Sequence, residues 1–186
     1  MILYINACVR GASRTDRIAR AYLSRFAPDD VTQLRLADAA FRPLDEETLE
    51  KRSQLIARRD YSDPMFDAAR QFALADEIVI SAPLWDFSFP ALLKVYLENI
   101  YVTGIVSRYS EKGVPVGLCR AKKLTFVSTS GGPFDARFGF DCIRALAQTC
   151  FGIDEVHLIN AEMLDVDGFD AEKIVLETIR NLKSQK

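Results

Sequence analysis

The chain has one histidine and one tryptophan in 186 residues, and its four cysteines, Cys8, Cys119, Cys142 and Cys150, form no C-x-x-C pair. A zinc site or cysteine-bound cluster needs several such ligands converging, so no metal is expected, and any triad would have to use His157. A free cysteine is most often a small buried hydrophobe, a reading that Cys142 and Cys150 fit best. His157, remote from the loops discussed below, reads as structural. Neither sign of charge dominates: 24 Lys plus Arg face 26 Asp plus Glu, a formal net charge of -2. Blanketing nucleic acid or an anionic membrane needs a marked basic excess, so neither is an expected partner. The apolar start, Met1 to Asn6, is short and has no basic flank. Neither a signal peptide nor a span of roughly 20 residues is expected, and the chain reads as cytoplasmic. Its length suits one domain over residues 1–186, enough chain to bury about 70% of the unfolded surface.

Hydrophobic patterning gives an alternating order of strands and helices. Ile2 to Ile5 form a first strand, and Ile18, Ala19, Tyr22, Leu23 and Phe26 share one face of a helix, with Ser13 and Asp16 in capping-box spacing before it. Val31, Leu34 and Leu36 suggest a second strand. The charged stretch Asp45 to Asp60 has only a thin apolar stripe and reads as an exposed helix or arm. Phe66, Ala69, Phe72 and Ala73 mark a helix leading into Glu77–Ser81, whose continuous apolar core suits a strand covered on both faces. Pro90 opens a helix through Leu92, Leu93, Tyr96, Leu97, Ile100 and Tyr101, and a Gly/Pro-punctuated excursion runs from Gly104 to Gly117. Leu124 to Ser128 is a fourth strand. Phe138, Cys142, Ile143, Leu146, Ala147 and Cys150 then outline an amphipathic helix, Glu155 to Ile159 a fifth strand, and Ala171, Ile174, Val175, Ile179 and Leu182 the last helix. Parallel neighbours need crossovers, so this order predicts an α/β fold: a doubly wound, five-stranded parallel sheet with helices on both faces.

Ligands of such sheets bind outside the carboxyl ends of the strands. Three loops leave predicted strand ends there, and each has an unusual composition. The first sets Arg10, Gly11, Ser13, Arg14 and Thr15 at a helix N-terminus, where free N–H groups, the helix dipole, hydroxyls and guanidinium groups favour a phosphate. No G-K-[ST] ends it, so it is not a Walker loop; the plain alternative is a Ser13 cap beside solvated arginines. The second, Ala82 to Phe87, carries Trp85 between Pro83 and Phe87, either as a wall for a flat ring with backbone amides at its edge or as core filling beneath the next helix. The third, Ser130-Gly131-Gly132, lets backbone approach a ligand without Cβ interference, or is an ordinary turn. A phosphorylated flat ring such as a flavin mononucleotide satisfies all three.

The first loop also satisfies C-x5-R-[ST] through Cys8, Arg14 and Thr15, and so resembles that of the low-molecular-weight tyrosine phosphatases, with Cys8 as thiolate nucleophile. The only Asp-Pro, Asp63-Pro64-Met65, lies mid-chain and lacks the aromatic of that family's general acid.

The stretch Ala82-Pro83-Leu84-Trp85-Asp86-Phe87-Ser88-Phe89-Pro90 with the helix after it resembles the flavin loop of the flavodoxin-like NAD(P)H quinone reductases and FMN-dependent NADH-azoreductases. Gly104 to Gly113 is similar to the azoreductases' G-x-T-F-R-Y-x-x-x-G segment, and Thr129-Ser130-Gly131-Gly132 to their flavin turn. The resemblance covers nearly the whole chain and implies the flavodoxin-like strand order 2-1-3-4-5, counting the five strands in sequence. It implies that Arg10, Ser13, Arg14 and Thr15 hold the FMN phosphate, that Pro83, Leu84, Trp85, Asp86 and Phe87 contact the isoalloxazine, and that Thr129, Ser130, Gly131 and Gly132 bind its other edge. It further implies hydride transfer from NAD(P)H to flavin, two-electron reduction of a quinone or azo compound with no side-chain acid or base, and a homodimer in which Tyr101 and the segment around Tyr109 complete the pocket. The short chain favours FMN over FAD. Two positions depart from the pattern: Asp86 stands where azoreductases have Asn, putting a carboxylate near the flavin, and Ser107 replaces an aromatic. A flavodoxin-type electron carrier is the remaining alternative, although such carriers have strongly acidic docking surfaces.

Overall fold

In the computed structural model, which describes residues 1–184, five strands form a single parallel sheet: β1 Ile2–Asn6, β2 Val31–Arg35, β3 Glu77–Ser81, then Lys123–Thr129 and Glu155–Ala161. Between β3 and Lys123 the Gly104 to Gly117 excursion adds a small antiparallel hairpin, β4 Ser107–Tyr109 and β5 Pro115–Gly117, so the last two sheet strands are β6 and β7. The spatial order is β2-β1-β3-β6-β7. It is the expected 2-1-3-4-5 once the hairpin is set aside. The single domain expected over residues 1–186 runs two residues past the described ones.

Each crossover is a helix or a helix-bearing segment. Helix α1 is Arg14–Leu23, α2 Glu46–Ala57, α3 Asp67–Leu74 and α4 Ala91–Ile100; α5 Phe140–Ala145 continues as a π-helix over Leu146–Phe151, and α6 is Ala171–Ser184. Alternation along β1 sends Ile2 and Tyr4 to one face, where Ile18, Ala19 and Tyr22 of α1 and Val175 of α6 cover them. Leu3 and Ile5 point the other way, into a larger core with Phe66, Phe72, Leu93, Tyr96, Ile143 and Phe151. Strands sandwiched this way need apolar residues at every position, which is why Glu77–Ser81 reads as a continuous run. The exposed arm expected after Asp45 is α2. None of its residues is buried, although Leu55 and Ile56 pack against the core margin.

Several burial expectations are overturned. Cys142 is exposed and Cys150 only partly buried, whereas Cys8 and Cys119 are the buried thiols. Phe138, expected on the core face, is exposed as well. The buried stripe of this helix is Phe140, Ile143, Ala147 and Phe151; of the expected face, Ile143 and Ala147 are buried, Leu146 and Cys150 sit partly buried at the core margin, and Phe138 and Cys142 are exposed. Phe140 packs against Phe126, and Phe151 against Phe72 and Tyr101, so two large rings set the helix rotation. His157 is exposed on β7, with Nε2 3.8 Å from the Glu155 carboxylate, and supports no core.

The winding reverses between β1 and β3. Asn6 is in register with Ser81, and Ser81 with Val127, so β1 and β3 end level and β6 runs only two residues further. Their loops therefore leave the sheet at one edge, at the switch point.

Candidate cofactor cleft

The three loops line one cleft of about 290 Å³, walled by residues that include Cys8, Arg10, Ser13, Arg14, Thr15, Pro83, Leu84, Trp85, Thr129, Ser130 and Gly131. Asp86, Phe87 and Gly132, expected with them, do not line it. Thr129 ties the loops together. Its Oγ1 lies 2.7 Å from Thr15 Oγ1, and its carbonyl accepts from the Leu84 N–H at 2.8 Å. All three segments thus meet at one residue at the end of β6.

The first loop is built as an anion cradle. The Cys8 N–H donates to Asn6 Oδ1 at 2.8 Å, but among the described residues no backbone N–H from Val9 to Thr15 finds an acceptor. Val9 to Ala12 and Arg14 are exposed, so these amides face solvent, and a row of such donors at the start of α1, where the helix dipole adds partial positive charge, suits a phosphate. Ser13 caps α1, its Oγ accepting from the Asp16 N–H at 3.3 Å, so the plain capping role is real and coexists with a place in the cleft. The capping box is only half made, because the Asp16 carboxylate turns inward to Tyr4, Asn6 and Arg20 instead of back to Ser13.

Of the two expected phosphate arginines, Arg14 is fixed: Nη1 donates to the Leu164 carbonyl at 3.1 Å and to Asp165 Oδ1 at 2.9 Å. Both groups belong to a fourth loop, after β7, that sequence reasoning missed. Met163, Leu164 and Asp165 donate their N–H groups to the carbonyls of Gly132, Ser130 and Gly131. A Cβ on Gly131 would lie 2.7 Å from Asp165 Oδ2, so the fourth loop packs closely over this glycine, with an exposed carboxylate that can shift as its nearest neighbour. The signal was available, since the strand-end rule applies to β7 as much as to the others.

In the second loop Trp85 is 41% exposed, which excludes the core-filling role. Trp85 and Ser88 exchange backbone hydrogen bonds at 2.7 and 2.8 Å, and between them Asp86 and Phe87 take left-handed conformations at φ 50 and 57. This is a two-residue turn with both central residues at positive φ. The Leu84 and Trp85 amides are used within the fold, and those of Asp86 and Phe87 have no acceptor among the described residues. Phe87 projects from the turn and packs on Phe138, ring centroids 5.0 Å apart, making an exposed aromatic pair beside the cleft loops.

Cys8 lines the cleft but is only 1% exposed, with Sγ 3.6 Å from Ser81 Oγ. Burial pushes its thiol up from the ordinary value, more than the neighbouring Ser13 and Ser81 hydroxyls lower it. A nucleophilic thiolate needs the opposite shift, so the phosphatase alternative loses its reactive group. No cluster of His, Cys, Asp or Glu that could hold a metal occurs among the described residues.

Arg10, Ser13, Arg14 and Thr15 line the cleft together with Pro83 to Trp85 and Thr129 to Gly131, a set of cations, free amides and one aromatic side chain whose chemistry fits a phosphorylated ring system. Comparison with known proteins points the same way. The chain is 36% identical over 196 residues to the FMN-dependent NADH:quinone oxidoreductase 2 of Clostridium acetobutylicum, covering 99% of this chain and 96% of that one. It is 33% identical to the FMN-dependent NADH:quinone oxidoreductase of Coprothermobacter proteolyticus, covering 96% and 94%. An azoreductase from Bacillus anthracis shares the fold at TM-score 0.84 with 18% identity, covering 99% of this chain and 97% of that one. An FMN-dependent NADH-azoreductase from the same species, solved in complex with FMN, does so at TM-score 0.82 with 20% identity, covering 99% and 96%. The family model described as a flavodoxin-like fold matches residues 1–185, and the chain belongs to that family.

Proposed function

We propose that this chain is an FMN-dependent oxidoreductase that takes hydride from NAD(P)H, NADH being the donor its relatives are named for, and passes two electrons to a quinone or azo compound. The observation that carries the reading is the cleft itself: three loops knotted at Thr129 around a row of unpaired amides. Bound there, FMN supplies the hydride acceptor and the two-electron donor, so the protein needs no general acid or base of its own. The chain's residues bind and orient. The Val9 to Thr15 amides with Arg10 and Arg14 hold the phosphate, Thr129 and Ser130 fix one side of the ring system, and Trp85 walls the other. Asp86 and Phe87 offer free amides at the turn tip, and Phe87 with Phe138 gives a flat acceptor something to stack on.

The homodimer expected from the resemblance is part of this proposal. The hairpin carries Tyr109 and Val114 exposed, and with Trp85, Phe87 and Phe138 it leaves a large share of aromatic surface for a second copy to cover. Sedimentation velocity of the FMN-loaded protein should give twice the chain mass, and a monomer at micromolar concentration contradicts it. A cytoplasmic location agrees with four unpaired cysteines, and no described helix is long and apolar enough to cross a membrane.

The test is reconstitution. Purified protein should bind FMN, the bound flavin should bleach on anaerobic addition of NADH, and a quinone should restore its colour. Flavin that binds but resists NADH favours the carrier, whereas no flavin binding, with phosphate-ester hydrolysis lost in Cys8→Ser, revives the phosphatase.

A further inference from the structure

Beneath the first loop lies a set of polar side chains that the cleft does not use. Asp16 Oδ1 accepts from Tyr4 Oη at 2.5 Å and from Asn6 Nδ2 at 2.9 Å, while its Oδ2 accepts from Arg20 Nε at 2.9 Å. Ser81 Oγ lies 2.9 Å from Tyr4 Oη and 3.4 Å from Asn6 Oδ1, which closes a ring of four residues drawn from β1, β3 and α1. Tyr4, Asn6 and Ser81 are each at most 1% exposed. Burial, followed by the bond to Asp16, holds the Tyr4 phenol well above its usual range, so it stays a donor.

The direction of each bond follows from the chemistry. A carboxylate only accepts, so Asp16 accepts from the Tyr4 hydroxyl, which keeps its proton, and forces the Asn6 amide to present Nδ2. Asn6 Oδ1 is therefore turned the other way, where it accepts from the Cys8 N–H at 2.8 Å. That bond fixes the first peptide of the loop as it leaves β1. Asp16 also sits in the first turn of α1, so the same carboxylate sets where the loop ends. Both ends of the segment whose amides stand free are thus referred to one partly buried acceptor, Asp16.

We propose that Tyr4, Asn6, Asp16 and Ser81 are the positioning residues of the phosphate seat: the ring orients the Cys8 to Thr15 backbone toward an anion without touching it. This rests on the reading that the cleft holds FMN by its phosphate. The charge arrangement agrees. An ionised carboxylate this close to a bound phosphate would repel it, but here its lone pairs are occupied by Tyr4, Asn6 and the Arg20 guanidinium and turned away from the cleft.

The test compares FMN with riboflavin, which has the same ring system and no phosphate, by fluorescence titration of flavin-free wild type, Tyr4→Phe and Asn6→Ala. Wild type should prefer FMN. In both variants FMN Kd should rise about tenfold, the change that roughly 1.4 kcal/mol makes, with riboflavin Kd within about twofold, so the preference shrinks by nearly that factor. A purely structural role would weaken both ligands alike. Wild-type preference retained in the variants, or equal loss for both flavins, overturns the proposal, whereas no preference in wild type overturns the phosphate-seat reading itself. Should Tyr4→Phe fail to fold, Ser81→Ala removes the same ring from the other side and is held to the same outcome.

Discussion

Asp86 shows how a single departure from the family pattern is resolved by backbone conformation. Its φ of 50 places it where Asn and Asp are the best tolerated residues after glycine, so exchanging one for the other keeps the turn. Asp86→Asn should change unfolding free energy by less than about 0.5 kcal/mol, whereas Asp86→Val should cost about 1 to 2 kcal/mol, the left-handed penalty of a β-branched residue; urea denaturation separates the two. The same turn puts Asp86 outside the cleft lining. Arg14 is the opposite case, a residue whose place in the site was legible and whose partner was not. The sequence shows an arginine at a helix start; that Asp165, 151 residues away, pairs with it depends on where β7 ends. Exposed ion pairs contribute at most about 1 kcal/mol, so Asp165 does not lock Arg14 away from an anion. Arg14→Ala should weaken FMN binding by on the order of 1.5 to 3 kcal/mol through loss of a charge-assisted contact. Unchanged affinity in a flavin titration removes Arg14 from the seat.

Among the elements, the sheet strands were readable and the hairpin was not, for a physical reason. Ile2 to Ile5 is apolar throughout, and Glu77 to Ser81 and Leu124 to Ser128 have apolar cores, because helices cover both their faces. The strands β4 and β5 have three residues each and pair only with one another, so no periodicity accumulates. The hairpin is located instead by close backbone approach. A Cβ on Gly117 would come 2.1 Å from both Gly152 N and Phe151 C, atoms of the turn that ends the π-helix, where Gly152 is left-handed at φ 74. Backbone cannot yield as a side chain does, so Gly117→Ala should cost at least about 1 to 3 kcal/mol by the overpacking mechanism, read as a lower denaturation midpoint. An unaltered midpoint would mean that β5 does not seat against this turn. The misplaced stripe of α5 belongs to the same scale. Spacing alone allowed two adjacent faces that share Ile143 and Ala147, and the helix is rotated toward Phe140 and Phe151, whose rings pack on Phe126 and Phe72, leaving Phe138 and Cys142 exposed and Leu146 and Cys150 at the margin.

For the molecule as a whole, the sheet order follows from the alternation of strands and helices together with the family resemblance, and it puts the cleft at the switch point between β1 and β3. Beyond the reach of pattern was the burial of individual polar groups, which depends on contacts far apart in the chain. Cys119 is one such group: burial raises its thiol from 9.0 to about 12. Below pH 9 both the folded and the unfolded chain keep this proton and its contribution is complete. Between pH 9 and about 12 the unfolded chain releases it while the folded one retains it. Stability therefore falls as pH rises, by about 1.4 kcal/mol per pH unit for this one group. Cys8, Tyr4 and Tyr96 are shifted in the same direction by burial and add to the fall. Denaturant titrations at pH 8 and about pH 10 should show the loss, and Cys119→Ala should make it shallower whatever its own baseline stability; an identical slope in the variant contradicts the assignment.

The central proposal is that the cleft is a flavin site that works by hydride transfer. The most direct measurement is anaerobic absorbance of the FMN-reconstituted protein, followed on adding NADH and then a quinone. Bleaching of the flavin bands by NADH and their full return with one equivalent of quinone is the predicted result. A protein that leaves FMN unbound, or binds it without NADH bleaching the bands, contradicts the account.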